Sequence, residues 1–188
     1  MRWVVVFLLL ISGMGQVQAR EIQKDTLSRK EARSRKKAEQ EKELQRQFEA
    51  LNQVLLARSF VLEADFVERK TGLRFRVNRV LNFVMVDSAE ATIQVGADNR
   101  LGFNGAGGVT DKGKISGYKL TRNDKNRSFF LKMAVRSSLS AHVDIFLDID
   151  AYGTANAVVS GGIFGQYFRF DGRLVPLDES GVYRGQSP

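Results

Sequence analysis

The chain changes composition abruptly near Arg58, and that change limits its fold more than any other feature. Residues 20–58 hold no glycine and no proline and are crowded with Lys, Arg, Glu, Gln, Ala and Leu, side chains that lose little freedom in a helix. From Ser59 onward come fifteen of the 17 glycines and most of the Phe, Val, Ile and Thr, a composition of strands broken by turns. The sequence therefore predicts one helix ahead of an all-β body.

Within the helical stretch, Ser28 to Glu31 has the spacing of a capping box, in which hydroxyl and carboxylate each accept a backbone N–H of the first turn. The residues that follow are polar on every side, as expected of a solvated helix. Leu44, Phe48, Leu51 and Leu55 then recur at i, i+4, i+7 and i+11. This stripe is too short for a sustained heptad seam, so it predicts docking on the β body rather than on a second copy.

Past Arg58 the period becomes two. Phe60, Leu62, Ala64 and Phe66 form one face of a first strand, and Leu73, Phe75 and Val77 open the next. The nearly continuous apolar run from Leu81 to Val86 fits a strand buried on both faces. Ala91, Ile93 and Val95 alternate after it, and further strands are expected at 114–122, 129–136, 141–149, 155–160 and 167–175. Turn signals stand at Asp87-Ser88, at 123–126, at 150–153 and at Gly161-Gly162. Eight or nine short strands at this spacing imply a mainly β fold, either an antiparallel sandwich or a small closed barrel of about eight strands, with one N-terminal helix. An outer-membrane barrel fits poorly. It needs aromatic girdles, yet the one Trp is Trp3 and there are four Tyr.

The N-terminus has the layout of an export signal: Arg2, an apolar run from Trp3 to Ile11, then Val17, Gln18 and Ala19 in a small-x-small arrangement before a charged segment. That run is too short to span a bilayer as a helix. The expected organisation is a signal peptide over 1–19, cleaved after Ala19, a charged helical segment over 20–43, and a domain over 44–188 comprising the helix end and the strands. The expected destination is the periplasm or the extracellular space, with no transmembrane segment in the mature chain. There is no cysteine. Disulfides, thiolate metal sites, thiol nucleophiles and a thioether lipid anchor are therefore excluded, and stability must come from burial.

The glycine-rich run from Gly102 to Gly108 supplies the candidate binding residues. Consecutive unhindered N–H groups can cradle an anion, but no Lys-Ser or Lys-Thr pair and no helix follows. The run reads first as a wide hairpin connection using positive φ, and secondly as a recognition loop in which Phe103, Asn104, Gly105, Gly107 and Gly108 would touch a ligand. The single histidine, His142, lies on one strand face with Asp144, Asp148 and Asp150. Carboxylates spread along a strand fit a solvated face better than a calcium loop. Asp148 and Asp150, beside a turn, are the pair to examine. No serine of the expected mature chain occupies a nucleophile elbow, and no cofactor or metal motif is evident.

The formal net charge is +8, with eleven basic and seven acidic groups between residues 20 and 58. The interleaving of Arg29, Lys30, Arg33, Arg35, Lys36 and Lys37 with Glu31, Glu39, Glu41 and Glu43 implies a self-paired, solvated helix. Without interleaved aromatics it does not imply nucleic-acid binding.

Several blocks resemble an uncharacterised secreted bacterial family, domain of unknown function 4251, of Bacteroidetes type. They are Leu81 to Asp87, Ile93 to Gly96, Asn104 to Thr110, Gly117 to Lys119, and the closing segments Gly172 to Leu177 and Ser180 to Gly185. One departure is Asp111-Lys112 before Gly113, where the family pattern sets an acidic residue beside the glycine. The resemblance implies an exported domain and transfers no catalytic residue. The functional expectation is an exported, non-enzymatic binding or cell-envelope-associated module for an unknown small ligand or envelope component. The alternative is a hydrolase or lyase acting on an envelope or dietary polymer through carboxylates such as Glu63, Asp65 or Asp144. An enzyme would gather paired carboxylates in one pocket, and a binding module would offer an apolar cavity or patch.

Overall fold

The computed structural model describes residues 2–96, 108–137, 139–165 and 167–183, with side-chain surroundings from residue 29 onward. Helix α1 runs Arg2–Ala57. The strands are β1 (Ser59–Arg69), β2 (Arg74–Arg76), β3 (Phe83–Asp87), β4 (Glu90–Val95), β5 (Val109–Asn123), β6 (Ser128–Ser137), β7 (Val143–Asp150), β8 (Thr154–Ser160) and β9 (Phe168–Pro176). The backbone is helical through residues 28–31, so no helix begins at Ser28. Two compact units are present, Met1–Leu44 and Gln45–Pro188. In the first, residues 29–43 are exposed, as their all-round polarity requires.

The second unit is a closed barrel. Neighbouring strands pair in the order β1-β3-β4-β5-β6-β7-β8-β9, and β9 returns to β1; β2 is an extra strand beside the far half of β1. All these pairs are antiparallel. Closure rather than a sandwich follows from the long β1–β9 ladder, which runs from Phe60↔Pro176 to Arg69↔Phe168 and leaves neither strand with an unpaired edge there. The inward faces read directly from the alternation: Phe129, Leu131, Met133 and Val135 on β6, Val143, Ile145, Leu147 and Ile149 on β7, Ala155, Ala157 and Val159 on β8, all buried.

Strand β1 departs from simple alternation. Phe60, Leu62 and Ala64 face inward, but a register shift between Ala64 and Phe66 moves the inward phase to Val67, which is 4% exposed and paired with Phe170. Phe66 therefore lies outside, under the Arg74 guanidinium at 4.1 Å. Bulges of this kind let a barrel strand bend. A Cβ at Gly172, opposite Ala64, would stand 1.9 Å from the carbonyl oxygen of Glu63, so the seam closes only around a glycine. Strand β2 is short and outward, and Leu73 and Phe75 are exposed, because the barrel is complete without it.

Strand β3 is buried on both faces, as its apolar run predicts. Val84 and Val86 point inward. Phe83 and Met85 join Val61 on the outside beneath Val175, Leu177 and Val182 of the C-terminal tail. Tail and barrel are tied by backbone and amide: the Tyr183 N–H donates to the Val80 carbonyl at 3.0 Å, and Gln94 Nε2 donates to the carbonyls of Tyr183 and Leu81 at 3.1 and 3.2 Å. Thr110 Oγ1 donates to Gln94 Oε1 at 3.0 Å, so the buried amide keeps partners on both sides.

The helix end belonging to this unit closes one end of the barrel. Phe48 stacks on Phe129 with centroids 4.6 Å apart and lies under Arg122 at 4.5 Å. Arg122 also grips Glu49 with two hydrogen bonds, at 2.8 and 2.6 Å, and these hold the Glu49 carboxyl below its ordinary range. Leu55 is fully buried. The helix stops at Ala57 because Arg58 takes a left-handed conformation, φ 53°, and its N–H returns to the Leu55 carbonyl at 3.2 Å. The same carbonyl accepts the Tyr118 hydroxyl at 2.6 Å. Burial pushes the Tyr118 phenol up to about 12, against a smaller downward pull from Arg58.

The native state thus favours the neutral phenol. Its contribution is complete below the ordinary phenol value of about 10 and is lost as pH rises through about 12. Absorbance titration at 295 nm should show one late tyrosine, and Tyr118→Phe should remove that late component. The same change should lower stability at neutral pH by about 1 kcal/mol through the lost hydrogen bond.

Candidate functional site

The opposite end of the barrel holds a cavity among the described residues. Val95 at the end of β4, Val109 at the start of β5 and Phe168 at the start of β9 meet Ile163 and Phe164 of a single turn of 3-10 helix, Gly162–Phe164, around a cavity of about 160 Å³ completed by Gly96 and Gly108. Phe164 is buried and meets Phe168 edge to face at 6.0 Å. Ile163 is 46% exposed. An aromatic pair forms one wall of the cavity and β-branched side chains the other, which suits a small apolar group.

Of the residues singled out in the glycine-rich run, Gly108 lies on this mouth. Phe103, Asn104, Gly105 and Gly107 fall outside the described residues. Gly108 is not among the described residues with positive φ. Its requirement is close approach: a Cβ there would stand 1.7 Å from the Val95 carbonyl oxygen. The glycine lets β4 and β5 converge where the mouth begins.

Asp111 was missed as a site residue, because the β5 pattern became legible only from Lys114 onward. In the structure β5 begins at Val109, and the register Val95↔Val109, Ile93↔Asp111, Ala91↔Gly113 puts Asp111 on the inward face, one rung below the mouth-lining valines. It is 2% exposed. Among the described residues neither carboxylate oxygen has a hydrogen-bond partner. The clue available from sequence was its period-two spacing with Val109 and Ile115.

The remaining acids are distributed differently. Asp148 and Asp150 lie in an outer groove of about 640 Å³ with Glu68, Arg74, Asn156, Arg169 and Asp171. Asp150 Oδ1 accepts the backbone N–H groups of Tyr152 and Thr154, both at 2.9 Å, and so shapes the β7–β8 turn. Asp171 is held by Arg74 at 3.2 Å, by Arg169 at 3.1 Å and by the Asn156 amide. Glu63 accepts the Ser180 hydroxyl at 2.7 Å, Asp65 pairs with Arg79 at 2.7 Å, and Asp144 faces His142 at 3.2 Å. Asp150, Asp171, Glu63, Asp65 and Asp144 thus each have a structural partner of their own. Among the described residues no group of three His, Cys, Asp or Glu side chains is placed to hold a metal ion.

Fold and mouth together define a small up-and-down β-barrel, capped at one end by a helix and open to an apolar cavity at the other. Residues 42–174 match the family profile described as Domain of unknown function (DUF4251), and the chain belongs to that family. The crystal structure of a DUF4251 family protein from Bacteroides eggerthii DSM 20697 is similar, with 26% sequence identity and a TM-score of 0.59 over 71% of this chain and 90% of that one. No curated protein matches the chain.

Gly108→Ala should destabilise the barrel by about 1–3 kcal/mol in urea unfolding, since backbone must move to admit the methyl group. Gly117→Ala is the control. Its Cβ would meet only the Ala134 methyl, at 3.7 Å, and the change should be nearly neutral.

Proposed function

We propose that this chain is an exported, non-enzymatic binding module that takes a small, partly apolar ligand into the open end of its barrel. The observation that carries the reading is the cavity between Val95, Val109, Ile163, Phe164 and Phe168. An apolar cavity of roughly 150 Å³ is large enough to admit benzene, so the ligand portion that enters is of that order. The individually partnered carboxylates Glu63, Asp65 and Asp144 favour binding over a hydrolase or lyase, which would need two acids converging on one substrate.

Export is supported by the charge, apolar run and small-x-small pattern ahead of Arg20. Among the described residues no helix is long and apolar enough to cross a membrane. Intact-mass measurement on protein recovered from outside the cytoplasm of a producing cell should give a chain beginning at Arg20. A mass that includes Met1 removes the support for export.

For binding, titration of the purified protein with 1-pentanol should shift the methyl resonances of Val95, Val109 and Ile163 in a saturable manner. Ile163→Asp should weaken that binding at least tenfold with little loss of stability, because the side chain is half exposed. Unshifted methyl groups at saturating alcohol would refute the mouth as a ligand site.

A further inference from the structure

Resting on the mouth being the ligand site, we propose that its ligand is an organic cation: a primary ammonium or related group on a short apolar chain, with Asp111 as the counter-charge. An unpaired carboxylate inside an apolar barrel is costly, because neither water nor a protein donor replaces the hydration it loses. The barrel nevertheless places one there. Asp111 is 2% exposed and without a hydrogen-bond partner among the described residues. Its neighbours on the inward face of this ladder are Ile93 across it, Val109 toward the mouth and Gly113 on the other side, none of which has a side chain that can donate.

The position is specific. Residues two apart on a strand are separated by about 7 Å, so Asp111 lies about that far below Val109, which lines the cavity. A ligand whose apolar part fills the space between Val109, Phe164 and Phe168 would bring a group a few bonds away to the depth of the carboxylate. An ammonium there supplies the missing donors and the missing charge together, and a charge-assisted hydrogen bond away from water is stronger than a neutral one. A carboxylate or phosphate ligand would meet repulsion. A bare metal ion needs several oxygen ligands, and Asp111 belongs to no group of three His, Cys, Asp or Glu side chains among the described residues.

The two ends of the barrel handle polar groups in opposite ways. At the closed end Arg122 has Glu49, Asp124 and the Phe48 ring, and Tyr118 has the Leu55 carbonyl. At the other end Asp111, the one buried charge-bearing side chain among the described residues, is left unmatched. In a protein whose other buried polar atoms are paired among the described residues, that exception marks where a ligand contributes a partner.

The probes are pentylamine, 1-pentanol and pentanoate, which share a chain and differ in head group, titrated at pH 7 with methyl NMR and calorimetry on the full protein. Pentylamine should bind at least tenfold tighter than 1-pentanol, and pentanoate more weakly than either. Asp111→Asn should abolish the preference for the amine while leaving 1-pentanol binding intact, which also shows that the variant is folded. Should that variant fail to fold, the order of the three probes on the natural protein still decides the matter. Equal affinity for amine and alcohol overturns the cation assignment and leaves the mouth as an apolar site. Absence of binding by all three overturns the mouth itself.

Discussion

The ladder between β1 and β9 is the constraint on which the other features depend. An eight-stranded antiparallel sheet with free edges would expose two rows of unpaired amides and carbonyls, and curling it shut removes both. The closure needs a local adjustment on each strand. On β1 a register shift between Ala64 and Phe66 bends the chain, and on β9 Gly172 removes the methyl group that would strike the Glu63 carbonyl. With the circle closed, the inward side chains of β6, β7 and β8 meet those of β1 and β9 in one core. The helix end and the C-terminal tail then cover surfaces that the barrel itself leaves apolar.

Closure also decides where space is left inside the barrel. A small barrel of this size is filled by its own side chains through the middle, so space remains only at the ends. One end is occupied by Phe48 and Leu55 and locked by the Arg122–Glu49 pair and the Tyr118 hydroxyl. The other narrows to Val95 and Val109, with the 3-10 turn bringing Phe164 across. Among the described residues the barrel is in this sense polar in its fastenings and apolar at this end, with Asp111 as the one charged side chain buried there.

Much of the fold could be read from alternation because most strands face water on one side and the core on the other. The strands from Phe129 to Val175 lie within two residues of where their period-two patterns place them, and the double-sided burial of Phe83 to Val86 is visible as an unbroken apolar run. The failures have physical causes. The alternation places Phe66 inward, whereas the bulge after Ala64 turns it out, and a bulge leaves no trace in hydrophobicity. Phe75 belongs only to a short, exposed extra strand and Leu73 precedes it, because apolar character alone does not say whether a closed sheet has room for another member. The start of β5 is not legible because Asp111, Lys112 and Gly113 are poor strand formers held extended by their ladder with β4. With that start went Asp111, whose place on the inward face depends on knowing that residue 111 is in a strand at all. The sandwich and barrel alternatives were separated by one long-range pairing, which no local pattern encodes.

The C-terminal tail has a consequence for how the molecule comes into being. Chains are made from the N-terminus, and every barrel contact but those of the β1–β9 seam joins strands that leave the ribosome close together in time. Val61, Phe83 and Met85 belong to the early strands, yet the residues that shelter them, Val175, Leu177 and Val182, come only with β9 and the segment after it. Through most of synthesis the outer face of β1 and β3 is therefore a naked apolar patch beside two open strand edges, the kind of surface on which nascent chains aggregate or are held by chaperones. Its burial and the sealing of the barrel come together, with β9 and the segment that follows it, so a chain cut short before β9 would lose its defence against self-association together with the closure itself.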